Sequence, residues 1–263
     1  MTRLDVYLVR EGYFDSRQRA QDAVRAGLVL LDGGVADKPS RPVGPGNDVA
    51  VRRDPVGYVS RGGLKLAHAL DAFAIDVRDT VFLDGGASTG GFTQCLLQRG
   101  AKKVYAVDVG HGQLEKSLAD DLRVVSMEGT DIRKLTLPGT VDGAAVDVSF
   151  ISLRQVLPSV IGLVRDKGAV VALIKPQFEA GRAHVGKGGI VKDAAVHERV
   201  LADITGFCAD HGLAAAGLLP SPIQGRGGNR EYLLYGIRGK REIAPNYDIH
   251  DVVNQSFPKE RSR

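Results

Sequence analysis

Val81-Phe82-Leu83-Asp84-Gly85-Gly86-Ala87-Ser88-Thr89-Gly90-Gly91-Phe92 decides how this chain is read. An apolar run ends in an acid, turns through a loop of small residues and enters a helical pattern. A second apolar run, Val104-Tyr105-Ala106-Val107, then ends in Asp108. The succession is a strand, a tight loop, a helix and a second strand closed by a carboxylate. Such a unit brings loop backbone close to an adenosine-containing ligand and offers Asp108 to its ribose hydroxyls.

A dinucleotide reads best with Gly-x-Gly-x-x-Gly, because a pyrophosphate needs close backbone approach and a helix N-terminus. Here Gly86-Ala87-Ser88-Thr89-Gly90 places Ser88 and Thr89 where that fingerprint leaves open backbone. Asp84 stands just before the loop, where an anionic pyrophosphate is repelled and a cationic sulfonium with an amino-acid tail is attracted. The pattern favours S-adenosylmethionine over NAD. The plainer alternative is a Gly-rich turn with no binding role, against which the paired acids Asp84 and Asp108 argue.

Working outward, βα alternation continues to the end of the chain. Strands are expected at 81–84, 103–108, 123–128, 142–147, 169–174, 214–219 and 231–237. Helices are expected at about 63–73, 91–99, 114–119, 153–164 and 194–211. An α/β doubly wound sheet follows, with ligands beyond the carboxyl ends of its strands.

The first sixty residues differ. Leu4, Tyr7 and Leu8 make a helical stripe, and a second helix is bounded by Ser16 as N-cap and Gly27 as stop. Leu28–Leu31 and Asp48–Arg52 read as short strands, with a turn at Asp32-Gly33-Gly34. Arg17, Arg19 and Arg25 project from the second helix as a basic set. Pro55 and Gly57 interrupt any periodicity, so the expected divisions are 1–53, a linker at 54–59, a second domain at 60–239 and a tail at 240–263.

The 263 residues can bury one large core or two modest ones. Net charge is +4. Its distribution says more: Lys175, Arg182, Lys187 and Lys192 crowd one segment, and Arg226, Arg230, Arg238, Lys240 and Arg241 another. That suits a polyanionic partner; for Lys240 and Arg241 a solvated surface is the alternative. Cys95 and Cys208 read as buried thiols of a reducing compartment. None of the six His stands at metal-ligand spacing, so no metal is expected. No apolar run approaches ~20 residues and Met1-Thr2-Arg3-Leu4-Asp5 opens no signal region, so a cytoplasmic protein without membrane insertion is expected.

Four ionisable residues stand at informative places. Lys65 follows Ser60-Arg61-Gly62-Gly63-Leu64. Asp147 ends Gly143-Ala144-Ala145-Val146. Lys175 ends Ala169-Val170-Val171-Ala172-Leu173-Ile174 and precedes Pro176. Glu231 opens the strand Tyr232-Leu233-Leu234-Tyr235. A lysine after six apolar residues sits at a strand tip, partly desolvated, where it can accept or steer a hydroxyl proton. A lysine snorkelling from a strand end is the alternative.

Two resemblances rest on these residues. Leu4 to Val51, with SRQRAQDAVRAGLVLLDG, resembles the alpha-L, or S4-like, RNA-binding module of a small-subunit ribosomal protein, pseudouridine synthases and tyrosyl-tRNA synthetase. It implies RNA binding, with Arg17, Arg19 and Arg25 facing phosphates; Arg3, Arg61 and Arg182 complete the RNA-facing set. Lys65, Asp147, Lys175 and Glu231 resemble the Lys-Asp-Lys-Glu tetrad of FtsJ-type ribose 2′-O-methyltransferases. DGGASTGGFTQ, DVGHGQL, DVSFISL, LIKPQFE and GNREYLLY resemble the TlyA or hemolysin A family, over about 240 residues.

The resemblance implies an S4-like domain followed by a Rossmann-like, class I S-adenosylmethionine-dependent methyltransferase domain that modifies cytidine ribose in ribosomal RNA. Lys175 would activate the 2′-hydroxyl, Asp147 set Lys175 and meet the methionyl end, Lys65 offset charge, and Glu231 position the lysines. Cofactor contacts would come from Asp84, Gly85, Gly86, Ala87, Ser88, Thr89, Gly90 and Phe92, with Asp108 and Val109 at the ribose. Asp131 and Ile132 would meet the adenine, unless Asp131 caps a helix at Arg133-Lys134. The family's linker often carries Trp, where Val56-Gly57-Tyr58-Val59 stands here. The short N-terminus goes, in this family, with modification of the large subunit alone. A non-catalytic ribosome-assembly factor on the same fold is the competing reading, and the complete tetrad argues against it. A pore-forming role is suggested by the family's older name alone.

Overall fold

The computed structural model describes residues 1–14, 17–25, 28–36, 38–51, 57–239 and 245–257. They form two compact units, Met1–Tyr58 and Val59–Arg263.

The first unit runs β1 (Thr2–Arg3), α1 (Leu4–Arg10), α2 (Arg17–Arg25), β2 (Val29–Leu31), β3 (Gly34–Val35), β4 (Pro42–Val43) and β5 (Val49–Val51). β1 pairs with β4, and β3-β2-β5 form an antiparallel sheet. Leu4 and Leu8 of the helical stripe meet Ala20 and Val24 of α2 and Val29 and Leu31 of β2 in a small core. The β2–β3 turn places Asp32 and Gly33 at φ 54° and 78°, the left-handed pair that a two-residue hairpin demands. The expected cap Ser16, the helix stop Gly27, residues 52 and 53 at the end of the expected first domain and 54–56 of the expected linker lie outside the described residues.

The second unit runs α3 (Gly62–Ala72), β6 (Val81–Gly85), α4 (Gly91–Gln98), β7 (Lys103–Asp108), α5 (Lys116–Ala119), β8 (Val124–Glu128), β9 (Val141–Val146), α6 (Leu153–Leu163), β10 (Val164–Ile174), α7 (Pro176–Glu179), α8 (Ala194–Asp210), β11 (Leu213–Pro220), β12 (Tyr232–Arg238) and α9 (Ile249–Ser256). Its sheet has the order β11-β12-β10-β9-β6-β7-β8. β10, β9, β6, β7 and β8 are mutually parallel. β12 runs antiparallel to both β10 and β11.

Strand order reverses at β6, whose neighbours are β7 and β9. A crevice opens beyond the carboxyl ends at such a switch point. Leu83 and Val146 of the sheet and Leu157, Val160 and Ile204 of the covering helices are fully buried in one core. The run to Asp84 and that from Gly143 to Val146 are nearly continuous in apolar and small residues because both faces of this sheet are covered.

Two elements exceed the expected pattern. β10 begins at Val164 rather than 169: Val164 pairs with Val141, and the register shifts before Ala169 pairs with Gly143. The intervening polar Arg165-Asp166-Lys167 hides the strand from an apolar count. In the expected tail, Asp248 accepts from the Asp251 amide at 3.0 Å and starts α9, whose Val252 and Val253 join the core. Residues 240–244 and 258–263 lie outside the described residues.

Candidate active site

The switch-point crevice holds a cavity of about 520 Å³, in the range of small-molecule sites. Gly86, Ser88, Asp108, Val109, Asp131, Ile132 and Asp147 line it, as the sequence suggests. Gly110, Gln113, Thr130, Arg133 and the stretch Val148 to Ile151 line it as well.

The Gly-rich loop is built around a close approach. Gly86 adopts φ 87°, and a Cβ there would lie 2.6 Å from the Asp147 carbonyl oxygen. Gly90, at φ 96°, leaves room for Leu114 and Leu118 and precedes α4. The Asp108 carboxylate accepts from the Ser88 amide at 2.9 Å and the Gly110 amide at 2.7 Å. It is thus fixed at the rim with lone pairs to spare for two hydroxyls. Glu128, ending β8, gathers the amides of Gly112, Gln113 and Leu114 and is lowered from its ordinary pKa by them, Gln113 first. That carboxylate shapes the loop bearing Gly110 and Gln113, and its place at a strand end was the one signal for it in the sequence.

Asp84, Gly85, Ala87, Thr89, Gly90 and Phe92 are not among the lining residues. Asp84 is fully buried, accepts from the Thr93 hydroxyl at 2.6 Å, and is pushed up to about 7, first by burial. Its attraction for a cation is thus exerted from beneath the pocket, and its other oxygen, Oδ1, finds no hydrogen-bond partner among the described residues. Phe92 is buried at the start of α4, where a Cβ on Gly62 would lie 3.4 Å from its ring. The helical period turns it away from the loop's open side. Asp131 combines both roles weighed for it: it lines the cavity and accepts from the Arg133 amide at 3.0 Å. The Arg133 guanidinium, 2.6 Å away, helps lower it to about 2.

Register brings the tetrad together. Val146 lies opposite both Gly85 and Ala172, and Ile174 opposite Tyr232. Asp147, Lys175 and Glu231 therefore follow one another along the same sheet edge. Lys175 Nζ lies 2.5 Å from Asp147 Oδ1 and donates to Ser149 Oγ at 2.8 Å. Lys65, from the first turn of α3, lies 2.5 Å from Glu231 Oε2. The tetrad is thus two pairs: Glu231 holds Lys65, and it is Asp147 that holds Lys175. Both lysines and Glu231 are buried, so Lys175 does not snorkel into solvent. Next to Ser149, Phe150 is 86% exposed at φ 66°, with Phe178 at a ring distance of 5.2 Å.

The arginines expected to face RNA divide. In the first unit, Arg3 and Arg17 both bind the fully buried Asp5, each through Nε at 3.0 Å, and Arg3 first holds that carboxyl well below its usual range. The side chains of Arg19 and Arg25 lie outside the described residues. Arg182 is exposed, and Arg61 donates to the Gln224 carbonyl at 3.4 Å. Among the described residues no group of His, Cys, Asp or Glu is placed to hold a metal ion, and no helix is long and apolar enough to cross a membrane.

Fold and site define an α/β domain that holds an adenosine-bearing cofactor at a switch point, beside a lysine–carboxylate cluster. The chain belongs to the FtsJ-like methyltransferase family, whose model matches residues 58–238, and it carries an S4 domain at residues 2–49. It is an S-adenosylmethionine-dependent enzyme of that family. The Bacillus subtilis protein YqxC is 47% identical over 97% of this chain and 93% of its own. The Mycobacterium tuberculosis 16S/23S rRNA (cytidine-2′-O)-methyltransferase TlyA is 45% identical over 89% of this chain and 88% of its own. A solved structure from Streptococcus thermophilus, named as a hemolysin, superposes with TM-score 0.77 at 44% identity, covering 97% of this chain and 95% of that one.

Proposed function

We propose that this protein methylates the ribose 2′-oxygen of cytidine in ribosomal RNA, in the cytoplasm, on the ribosomal subunit or its RNA. The observation that carries the reading is Lys175, buried at the switch-point edge and held by Asp147 beside the cofactor cavity. The similarity to TlyA supports the substrate.

The cavity fits the cofactor: a fixed carboxylate at the rim, a loop closed to any Cβ, and an orphaned buried carboxylate oxygen below. Asp108 would hold the ribose hydroxyls, Asp131 and Ile132 the adenine, and Asp147 the methionyl end. Bound there, S-adenosylmethionine supplies an electrophilic methyl on a sulfonium. The chain's residues then have to place one hydroxyl oxygen and manage its proton. Lys175 donates to that oxygen, fixes its direction and offsets the negative charge that grows on it as its proton passes to solvent water. Holding acceptor and cofactor together in reacting geometry is worth in all on the order of 7–11 kcal/mol of barrier, of which the steering by Lys175 is one part. Lys65, set by Glu231, adds positive charge to the same edge.

Phe150 offers an open ring face beside that edge, where a base can stack. Phe150→Ala should lower kcat/KM for RNA about tenfold, since base stacking is worth ~1–3 kcal/mol. Cofactor affinity should be unchanged by calorimetry. An unaltered kcat/KM would remove Phe150 from the acceptor site.

The S4 domain is expected to supply the RNA contacts that aim the enzyme. Residues 59–263 alone should bind S-adenosylmethionine like the full chain yet transfer little labelled methyl to ribosomal RNA. Full methylation of the same nucleotide by the shortened chain would contradict this division of labour. Absence of transfer by the full chain, with cofactor bound, would favour the assembly-factor reading instead.

A further inference from the structure

Lys175 has three N–H donors. Asp147 Oδ1 lies 2.5 Å from Nζ, an ion pair within hydrogen-bond distance that engages one of them. A second is engaged by Ser149 Oγ, at 2.8 Å. Ser149 also lines the cofactor cavity, so it links the buried ammonium to the cavity wall.

The loop that carries Ser149 is held in an unusual shape. Phe150 takes φ 66°, a left-handed conformation that is strained for a residue with a Cβ. Two residues on, Glu179 of α7 accepts from the Ser152 hydroxyl at 2.6 Å and the Leu153 amide at 2.8 Å. Glu179 lies on the short helix that begins directly after Lys175. The same connection therefore carries Lys175 at one end and anchors the Ser149 loop at the other. The strained turn at Phe150 lets adjacent residues diverge: Ser149 meets Lys175 while Phe150 stands in solvent.

We propose that Ser149 is a positioning residue for methyl transfer: its hydroxyl oxygen takes one N–H of Lys175 and so aims a remaining N–H at the acceptor hydroxyl. The inference rests on the proposed role of Lys175. Without Ser149, the ammonium keeps Asp147 as a fixed partner on one side but loses the second, and it can rotate about that axis away from the acceptor. A small misplacement of this kind costs about tenfold to 100-fold in rate.

The test compares Ser149→Ala, Ser149→Thr and Lys175→Ala by steady-state and single-turnover methyl transfer, with S-adenosylmethionine affinity measured by calorimetry. Ser149→Ala should lower kcat about tenfold or more with KM and affinity for the cofactor nearly unchanged. Ser149→Thr, which keeps the hydroxyl, should recover most of the rate. The proposal is overturned if Ser149→Ala retains full kcat, if it raises cofactor KM alone, or if Thr is as slow as Ala. If Lys175→Ala is itself near wild type, the reading of Lys175 fails first; if Lys175→Ala is slow and Ser149→Ala is not, this inference alone fails.

Discussion

Lys175→Ala is expected to slow single-turnover methyl transfer by about 10²–10⁴, the usual worth of a group that steers a proton in the transition state. The loss should fall on the chemical step, because Lys175 faces the sheet edge beyond the cavity and is not among the residues lining it. Cofactor affinity should therefore persist. Saturating enzyme removes binding losses from the measurement. Lys175 is a cleaner probe than Glu231: removing Glu231 strands the Lys65 charge in a buried site and threatens the fold along with the chemistry. A near-normal rate for Lys175→Ala would reduce it to a structural strand-end lysine.

Asp84→Asn should stabilise the protein at alkaline pH. Burial pushes Asp84 up to about 7, with the Asp147 and Asp108 charges adding to the effect. The folded chain thus keeps its proton while the unfolded chain ionises near the ordinary value of about 3.9. Asp84 costs nothing below that ordinary value, and its penalty grows as pH rises towards about 7, above which it levels off. Three units correspond to an upper bound on the order of 4 kcal/mol. Asparagine is neutral at every pH and can still accept from Thr93. The Tm advantage of Asp84→Asn over wild type should accordingly widen between pH 5 and pH 8. An equal Tm difference at both, or a less stable variant at pH 8, would contradict the protonated, buried carboxyl. The same site should favour a cationic cofactor more strongly once Asp84 ionises.

How far these features could be read in the sequence depends on whether they are local. β6, the Gly-rich loop, α4 and β7 were legible because an apolar run, a small-residue turn and a terminal acid occupy consecutive positions. Asp147, Lys175 and Glu231 were legible because each interrupts or opens an apolar strand, and strand ends in such sheets share an edge. The pairing of Asp147 with Lys175 was implied by the resemblance; that Glu231 holds Lys65 was not legible, because it depends on how α3 and β12 sit in space. Asp84 and Phe92 belong to the right motif, yet the alternation of the strand and the period of the helix turn both side chains inward. Ser149 and Phe150 escaped notice because a left-handed residue other than Gly or Asn leaves no compositional mark. Arg3 and Arg17 looked like free cations until Asp5 was placed between them. α9 was hidden by its short apolar stripe, although Asp248 before Ile249, Val252 and Val253 is a helix-start signal.

Whether Lys175 delivers a methyl group to ribose is decided by mapping ribose 2′-O-methyl groups on ribosomal RNA, in cells with the protein and in cells carrying Lys175→Ala in its place. A cytidine 2′-O-methyl mark should be present with the wild-type protein and lost with the variant, and should reappear when the purified wild-type protein and S-adenosylmethionine are added to the unmodified RNA or subunit. Identical methylation maps in the two strains, or a mark on a base rather than on the ribose, would contradict it.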